Sequence, residues 1–261
     1  MWWFQSPKIA FGEDALEVLK HLKGKKSFIV TDKTILNLGY VDIVSNYLKE
    51  AGMEVGVFDG VESEPSIENV MEGVKLVREF APDWIIGLGG GSCMDAAKVV
   101  FILYERPDIQ LEEISPLVEL GLRKKARLIC IPTTSGTGSE ASWAAVITNK
   151  EERFKMELAS REIYPDLAIV DPKLPVGVPK EVAADTGFDA LVTAVEAYVN
   201  QWRNDYSDAL AIKVAQLFFE YFLRFYENEN DQEARERIHN AATMSGIAFS
   251  NAQVGVAHAM G

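Results

Sequence analysis

Apolar and polar positions alternate between two periods along the first two thirds of the chain. Ser27–Thr31, Met53–Phe58, Trp84–Gly87 and Arg127–Pro132 are short apolar runs of strand length, the first and second closed by Asp32 and by Asp59-Gly60. Between them, Glu13–Leu22, Val41–Ala51 and Ser66–Phe80 carry apolar residues at helical spacing, the last opened by Ser66 as an N-cap. Segments 142–149, 155–160 and 167–171 read as further strands, ending at Asp171-Pro172. Strands alternating with helices predict an α/β fold built on a mostly parallel sheet covered on both faces. After Pro179 the texture changes: strand signal and proline vanish, and helical periodicity runs through Val182–Val199, Ser207–Phe225 and Ala234–Phe249. The cluster Leu217-Phe218-Phe219-Tyr221-Phe222-Leu223-Phe225 reads as helix core, and the charged stretch 227–233 as a solvated loop. Two domains are expected, 1–178 as a Rossmann-like nucleotide-binding domain and 179–261 as an all-helical one.

The densest signal is the turn after the third strand. Gly87, Gly89, Gly90 and Gly91 remove side chains from a strand-to-helix junction, and Ser92 stands where it can cap the helix running to Leu103. A helix N-terminus approached over bare backbone suits a phosphate or pyrophosphate; a plain tight turn would use the same residues. The third glycine of the dinucleotide fingerprint is absent, because Ser92 occupies its place. Ligands of such sheets lie beyond the carboxyl ends of the strands, where Asp32, this turn and Thr133-Thr134 all fall. Asp32 can accept both hydroxyls of an adenosine ribose, or can serve as a turn residue before Lys33-Thr34. The run Thr133–Glu140 adds five hydroxyls and two glycines, which offer neutral donors and close backbone approach to a ligand; a solvated surface loop would use the same residues.

Composition narrows the partners. The 261 residues carry a formal charge of −13, which excludes a nucleic-acid or anionic-membrane partner held by clustered Lys and Arg. Cys93 and Cys130, the two cysteines, make no disulfide or metal framework. The amino terminus lacks a signal-peptide pattern and no apolar run reaches membrane-spanning length, so a cytoplasmic location is expected.

Gly89-Gly90-Gly91-Ser92-x-x-Asp95-x-Ala97-Lys98, Pro132 to Glu140, Asp171-Pro172, Asp189-Ala190-Leu191 and Gly255-Val256-Ala257-His258-Ala259-Met260-Gly261 occur in order. Together they resemble the iron-type, metal-dependent alcohol dehydrogenase family over essentially the whole chain. The resemblance implies an α/β nucleotide-binding domain, a helical metal domain, and an active site in the cleft between them. It implies NAD as cofactor, with NADP as the variant, and an iron or zinc ion. It places Asp32 on the adenosine ribose, Gly89, Gly90, Gly91 and Ser92 on the pyrophosphate, and Asp95 near the nicotinamide as a cofactor-binding and catalytic carboxylate. Thr133, Thr134, Thr137 and Lys155 match further cofactor contacts, and Asp189 and His258 match metal ligands. Three features depart from the pattern. Glu64 stands where relatives carry Asn, Thr193 stands where a histidine ligand follows Asp189 by four residues, and the chain ends at Gly261 before the remaining ligand. A shortened or fragmentary member is therefore expected, with metal binding in doubt. His239 and His21 read as structural and surface residues. The implied reaction is reversible hydride transfer between an alcohol and an aldehyde or ketone, in a homo-oligomer. The alternatives are a nucleotide-binding relic without catalytic metal, or a relative akin to glycerol dehydrogenase or dehydroquinate synthase.

Overall fold

The computed structural model describes residues 3–228 and 230–260. The readings that involve Met1, Trp2, Glu229 and Gly261 lie outside the described residues. The strands are β1 (Lys8–Phe11), β2 (Lys26–Val30), β3 (Glu54–Phe58), β4 (Trp84–Gly89), β5 (Arg127–Pro132), β6 (Ala144–Asn149), β7 (Phe154–Ala159) and β8 (Leu167–Val170). The helices are α1 (Lys33–Asn37), α2 (Tyr40–Glu50), α3 (Ile67–Phe80), α4 (Gly91–Glu105), α5 (Lys180–Val199), α6 (Asp205–Glu227), α7 (Gln232–Ala252) and α8 (Val256–Met260).

Six strands form one sheet in the order β1-β8-β5-β4-β2-β3, every pairing parallel. The α/β expectation is met. Alternate residues of the central strands feed opposite faces. Phe28, Val30, Ile85, Leu128 and Cys130 join α3 and α4 on one side. Ile29, Ile86, Leu88, Ile129 and Ile131 join α2 and the 3-10 turn Ala15–His21 on the other. Burial on both faces explains why these strands read as unbroken apolar runs. From β2 the chain moves outward to β3, then returns to lay β4 on the other side of β2. The junction between β2 and β4 is thus the point where the winding reverses, and a crevice opens there beyond the strand ends.

Two sequence expectations change, and two elements went unread. Segments 142–149 and 155–160 do pair, but as a separate antiparallel hairpin, β6–β7, rather than in the main sheet. Its polar, half-exposed residues could not replace the doubly buried β5 or β8. The helical reading of 13–22 becomes a 3-10 turn, with Asp14 at positive φ opening it. Edge strand β1 and the five-residue α1 carried too few apolar positions to be read.

In the helical part, α5, α6 and α7 pack through small residues, Ala194, Ala197, Ala211, Ala241, Ala248 and Ala252, around Val214 and Leu217. Asn204 caps α6, its side chain accepting from the Tyr206 and Ser207 N–H groups. The aromatic cluster divides. Leu217, Phe218 and Phe225 are buried, with Phe218 stacked on Phe222 at 4.3 Å, whereas Phe219 and Leu223 face outward. The loop between α6 and α7 shrinks to 228–231, Asp231 capping α7 through the Ala234 N–H. Among the described residues no helix is long and apolar enough to cross a membrane.

Candidate cofactor cleft and metal-site residues

At the reversal point three segments converge: the end of β2, the glycine turn and the loop Thr133–Glu140. Thr31 ties the first two, donating its hydroxyl to the Leu88 carbonyl at 2.8 Å, while its N–H bonds the Phe58 carbonyl of β3. Asp32 caps α1, with Oδ1 accepting from the Ile35 N–H at 2.9 Å, so its turn reading is realised. Its Oδ2 accepts from the Cys93 thiol at 3.2 Å, and the residue stays partly exposed. A cavity of about 730 Å³ opens beside it, bordered by Asp32, Asp59, Glu62, Ser66, Glu72 and Lys150 among others.

The glycine turn is built for close approach. Gly89 has φ +146, and a Cβ there would stand 2.6 Å from the Cys93 sulfur, so this position admits glycine alone. Gly90 is the N-cap of α4, and a Cβ on it would meet nothing nearer than 3.6 Å. The space above the helix N-terminus is open. Gly91 is different: a Cβ would come within 2.9 Å of the Thr137 methyl, so that glycine lets the hydroxyl loop close over the turn. Ser92 does not cap the helix. It lies inside the first turn, and its hydroxyl donates to the Ser63 carbonyl, which leaves Gly90 as the cap. Thr133 is buried and bonds Gly89 through its N–H; Thr134 faces Gly90 and Thr137 faces Gly91.

Asp95 sits one turn into α4 with both oxygens engaged, Oδ1 by the Ser139 hydroxyl at 2.6 Å and Oδ2 by the Val146 N–H at 2.9 Å. Lys98, fully buried, stands 3.7 Å from Asp95 and donates to Ser139 Oγ at 2.8 Å, Ser142 Oγ at 2.9 Å and the Ala144 carbonyl at 2.7 Å. Burial raises the Asp95 pKa, opposed by Lys98 and Ser139. This knot joins the glycine-turn helix to the hydroxyl loop and the hairpin. Lys155 lies exposed on that hairpin, its ammonium 4.0 Å from Glu64. The hairpin docks on the same turn through Thr148, whose N–H bonds the Pro65 carbonyl.

The two glycines of the hydroxyl loop serve packing. A Cβ on Gly138 would lie 2.5 Å from Gly246 of α7, and one on Gly136 would lie 2.5 Å from Thr186 of α5. Glu140, buried against α7, accepts from the Thr243 hydroxyl at 2.6 Å. His239 is buried with Nδ1 3.0 Å from the Ser135 hydroxyl, and its Nε2 has no partner among the described residues. His21 is exposed.

Burial, with Arg235 adding, pushes the His239 pKa from the ordinary 6.5 down to about 3. The native ring stays neutral where the unfolded one takes up a proton. The stability it contributes is therefore whole above pH 6.5 and is lost as the pH falls toward 3, by up to about 1.4 kcal/mol per pH unit. His239→Gln, which keeps a partner for Ser135, is expected to flatten this decline in denaturant titrations. Parallel curves for the two proteins would refute it.

In the helical part Asp189 and His258 do come together, 3.5 Å apart between Oδ1 and Nε2. Thr193 reaches the same nitrogen, Oγ1 to Nε2 3.1 Å. Glu196, a residue the sequence reading missed, holds Nδ1 and accepts the Ala257 N–H at 2.7 Å. Its signal was available: it follows Asp189 by seven residues and shares its helix face. Asp189 and Glu196 together raise the His258 pKa against the effect of burial. Among the described residues no three His, Cys, Asp or Glu side chains form a group that could hold a metal ion.

The chain matches the family described as "Iron-containing alcohol dehydrogenase" over residues 6–172. It matches "Fe-containing alcohol dehydrogenase family, C-terminal" over residues 183–261. It is 44% identical over 254 residues to the NADPH-dependent butanol dehydrogenase of Clostridium saccharobutylicum, covering 97% of this chain and 65% of that protein. It is 41% identical over 260 residues to an alcohol dehydrogenase of Thermococcus barophilus, covering 97% of this chain and 68% of that one. The solved iron-containing alcohol dehydrogenase of Thermococcus thioreducens superposes with a TM-score of 0.92 at 38% identity, over 100% of this chain and 69% of that one. The chain thus spans about two thirds of these proteins' lengths, and it belongs to the iron-containing alcohol dehydrogenase family.

Proposed function

We propose that the chain forms the dinucleotide-binding part of an NAD(P)-dependent alcohol dehydrogenase, which interconverts a small alcohol and its aldehyde or ketone by hydride transfer. The observation that carries this is the crevice at the sheet's reversal point, where open Gly90, the α4 N-terminus and the Asp32 carboxylate meet. The residues fit a dinucleotide. Backbone N–H groups of the first turn of α4 would hold the pyrophosphate, aided by the helix dipole. Asp32 would accept from ribose hydroxyls, Thr134 and Thr137 would supply hydroxyls at the rim, and Lys155 a cation at the hairpin edge. When bound, the nicotinamide supplies the hydride acceptor and donor. In this reading Asp95 is a positioning residue: its bonds to Ser139 and Val146 hold the glycine turn, hydroxyl loop and hairpin in one geometry around the reacting ring.

NAD(H) is the preferred form. A 2′-phosphate would enter a cavity bordered by Asp32, Asp59, Glu62, Glu68 and Glu72 against Lys33 and Lys150. The C. saccharobutylicum relative is named for NADPH, so this preference separates the two proteins. Fluorescence titration with NADH and NADPH decides the matter. The unaltered chain should bind NADH more tightly, Asp32→Gly should narrow the gap roughly tenfold, and Gly90→Val should abolish most binding while melting within about 1 kcal/mol of the parent. Gly91→Val is the poorer probe, since it also strikes Thr137. Equal affinities for the two cofactors in the unaltered chain would refute the preference, and intact binding in Gly90→Val would refute the site.

The metal is another matter. Asp189 and His258 supply two donors, and the threonine between them is a poor ligand beside imidazole. These residues do not fit a complete iron or zinc site. That observation favours a second reading, a chain that binds dinucleotide without holding a catalytic metal by itself. A homo-oligomer belongs to the proposal as well.

A further inference from the structure

The Cys93 thiol links the glycine turn to the carboxylate beneath the proposed ribose site. It is fully buried at the third position of α4, tucked under Gly89, whose positive φ lets the backbone pass over the sulfur. From there it reaches across the crevice floor to Asp32 Oδ2 at 3.2 Å. The other oxygen of Asp32 is held by the Ile35 N–H. Two donors, one on each oxygen, fix the rotation of the carboxylate at the border of the cavity.

We propose that Cys93 is a positioning and specificity-determining residue: its S–H donor orients Asp32 so that the carboxylate discriminates between NADH and NADPH. This rests on the dinucleotide reading given above. The sulfur stays protonated, because burial and the neighbouring Asp32 charge raise its pKa. It is therefore a donor to Asp32 at neutral pH. Without it, Asp32 keeps one anchor and can turn about its terminal bond, presenting a mixture of orientations to the ribose. Serine in its place retains a donor, though a shorter one; alanine retains none.

The test is a set of NADH and NADPH titrations on the full chain and on Cys93→Ala and Cys93→Ser, with melting curves alongside. Losing the bond of a weak S–H donor should weaken NADH binding in Cys93→Ala by about 3- to 10-fold and leave NADPH nearly unmoved, so that the affinity ratio falls. Cys93→Ser should restore most of the ratio. A ratio unchanged in Cys93→Ala would overturn the proposal and leave the thiol a packing group. If Cys93→Ala does not fold, the S–H stretching band, assigned by its loss in Cys93→Ser, replaces it. That band should move to higher frequency in Asp32→Asn, and a band that stays in place would overturn the proposal. Absence of any dinucleotide binding by the unaltered chain would overturn the proposed function and this inference with it. Binding with an unmoved ratio overturns this inference alone.

Discussion

Lys98→Met is expected to destabilise the chain by about 3–5 kcal/mol, a large part of what a domain of this kind possesses. The ammonium is wholly enclosed, and all its protons are used, by Ser139, Ser142 and the Ala144 carbonyl. Methionine fills a similar volume, so the loss is electrostatic rather than a cavity. It leaves the Ala144 carbonyl without that donor and Asp95 without its nearby cation, a partly buried carboxylate in a low-dielectric setting. Urea unfolding should show the loss, and the double variant with Asp95→Asn should recover part of it, because the uncompensated charge is then gone. A loss below about 1 kcal/mol, or strict additivity of the two substitutions, would contradict this account. The same knot fixes Ser139 and Val146, so dinucleotide affinity should fall together with stability.

The sequence showed the frame of this site better than its wiring. Strands β2, β4 and β5 were legible because both their faces are buried, which forces nearly continuous apolar runs. Asp32, the glycine turn and Thr133-Thr134 were placed at strand ends correctly, since parallel strands of one sheet share a direction. Lys98 stood inside a quoted motif without a role, because its acceptors Ser139 and Ser142 lie 41 and 44 residues away and meet it only after the loop folds over α4. Ser92 was assigned a cap by its type, whereas the cap falls two residues earlier, at Gly90, and the Ser92 hydroxyl turns toward Ser63. The glycines of the hydroxyl loop were read as room for a ligand. They are in part room for α7, which presses backbone against backbone at Gly138 and Gly246, and for α5, which meets Gly136 at Thr186. Residue type announces a small side chain, but which neighbour needs the space is a tertiary fact.

The second large effect concerns the metal. The chain is expected to carry little stoichiometric iron or zinc after gel filtration, and Thr193→His is expected to raise its affinity by more than the roughly 10–100-fold that an outer-shell partner is worth. Position 193 follows Asp189 by four residues on α5, so both project from one helix face, and the threonine oxygen already stands 3.1 Å from His258 Nε2. An imidazole there would turn two donors into three around one point, the usual protein complement of a catalytic zinc. Glu196 is in place to hold the opposite nitrogen of His258, the outer support that a ligating histidine requires. Thr193 is nearly enclosed, so the larger ring must displace neighbours, and some loss of stability should accompany the gain. Elemental analysis and zinc-competition titration of the two proteins, with melting curves taken with and without zinc, measure both effects. Zinc should raise the melting temperature of Thr193→His and leave that of the parent nearly unchanged. One tightly held metal per chain in the parent would refute the expectation and show that donors beyond Asp189 and His258 complete the site.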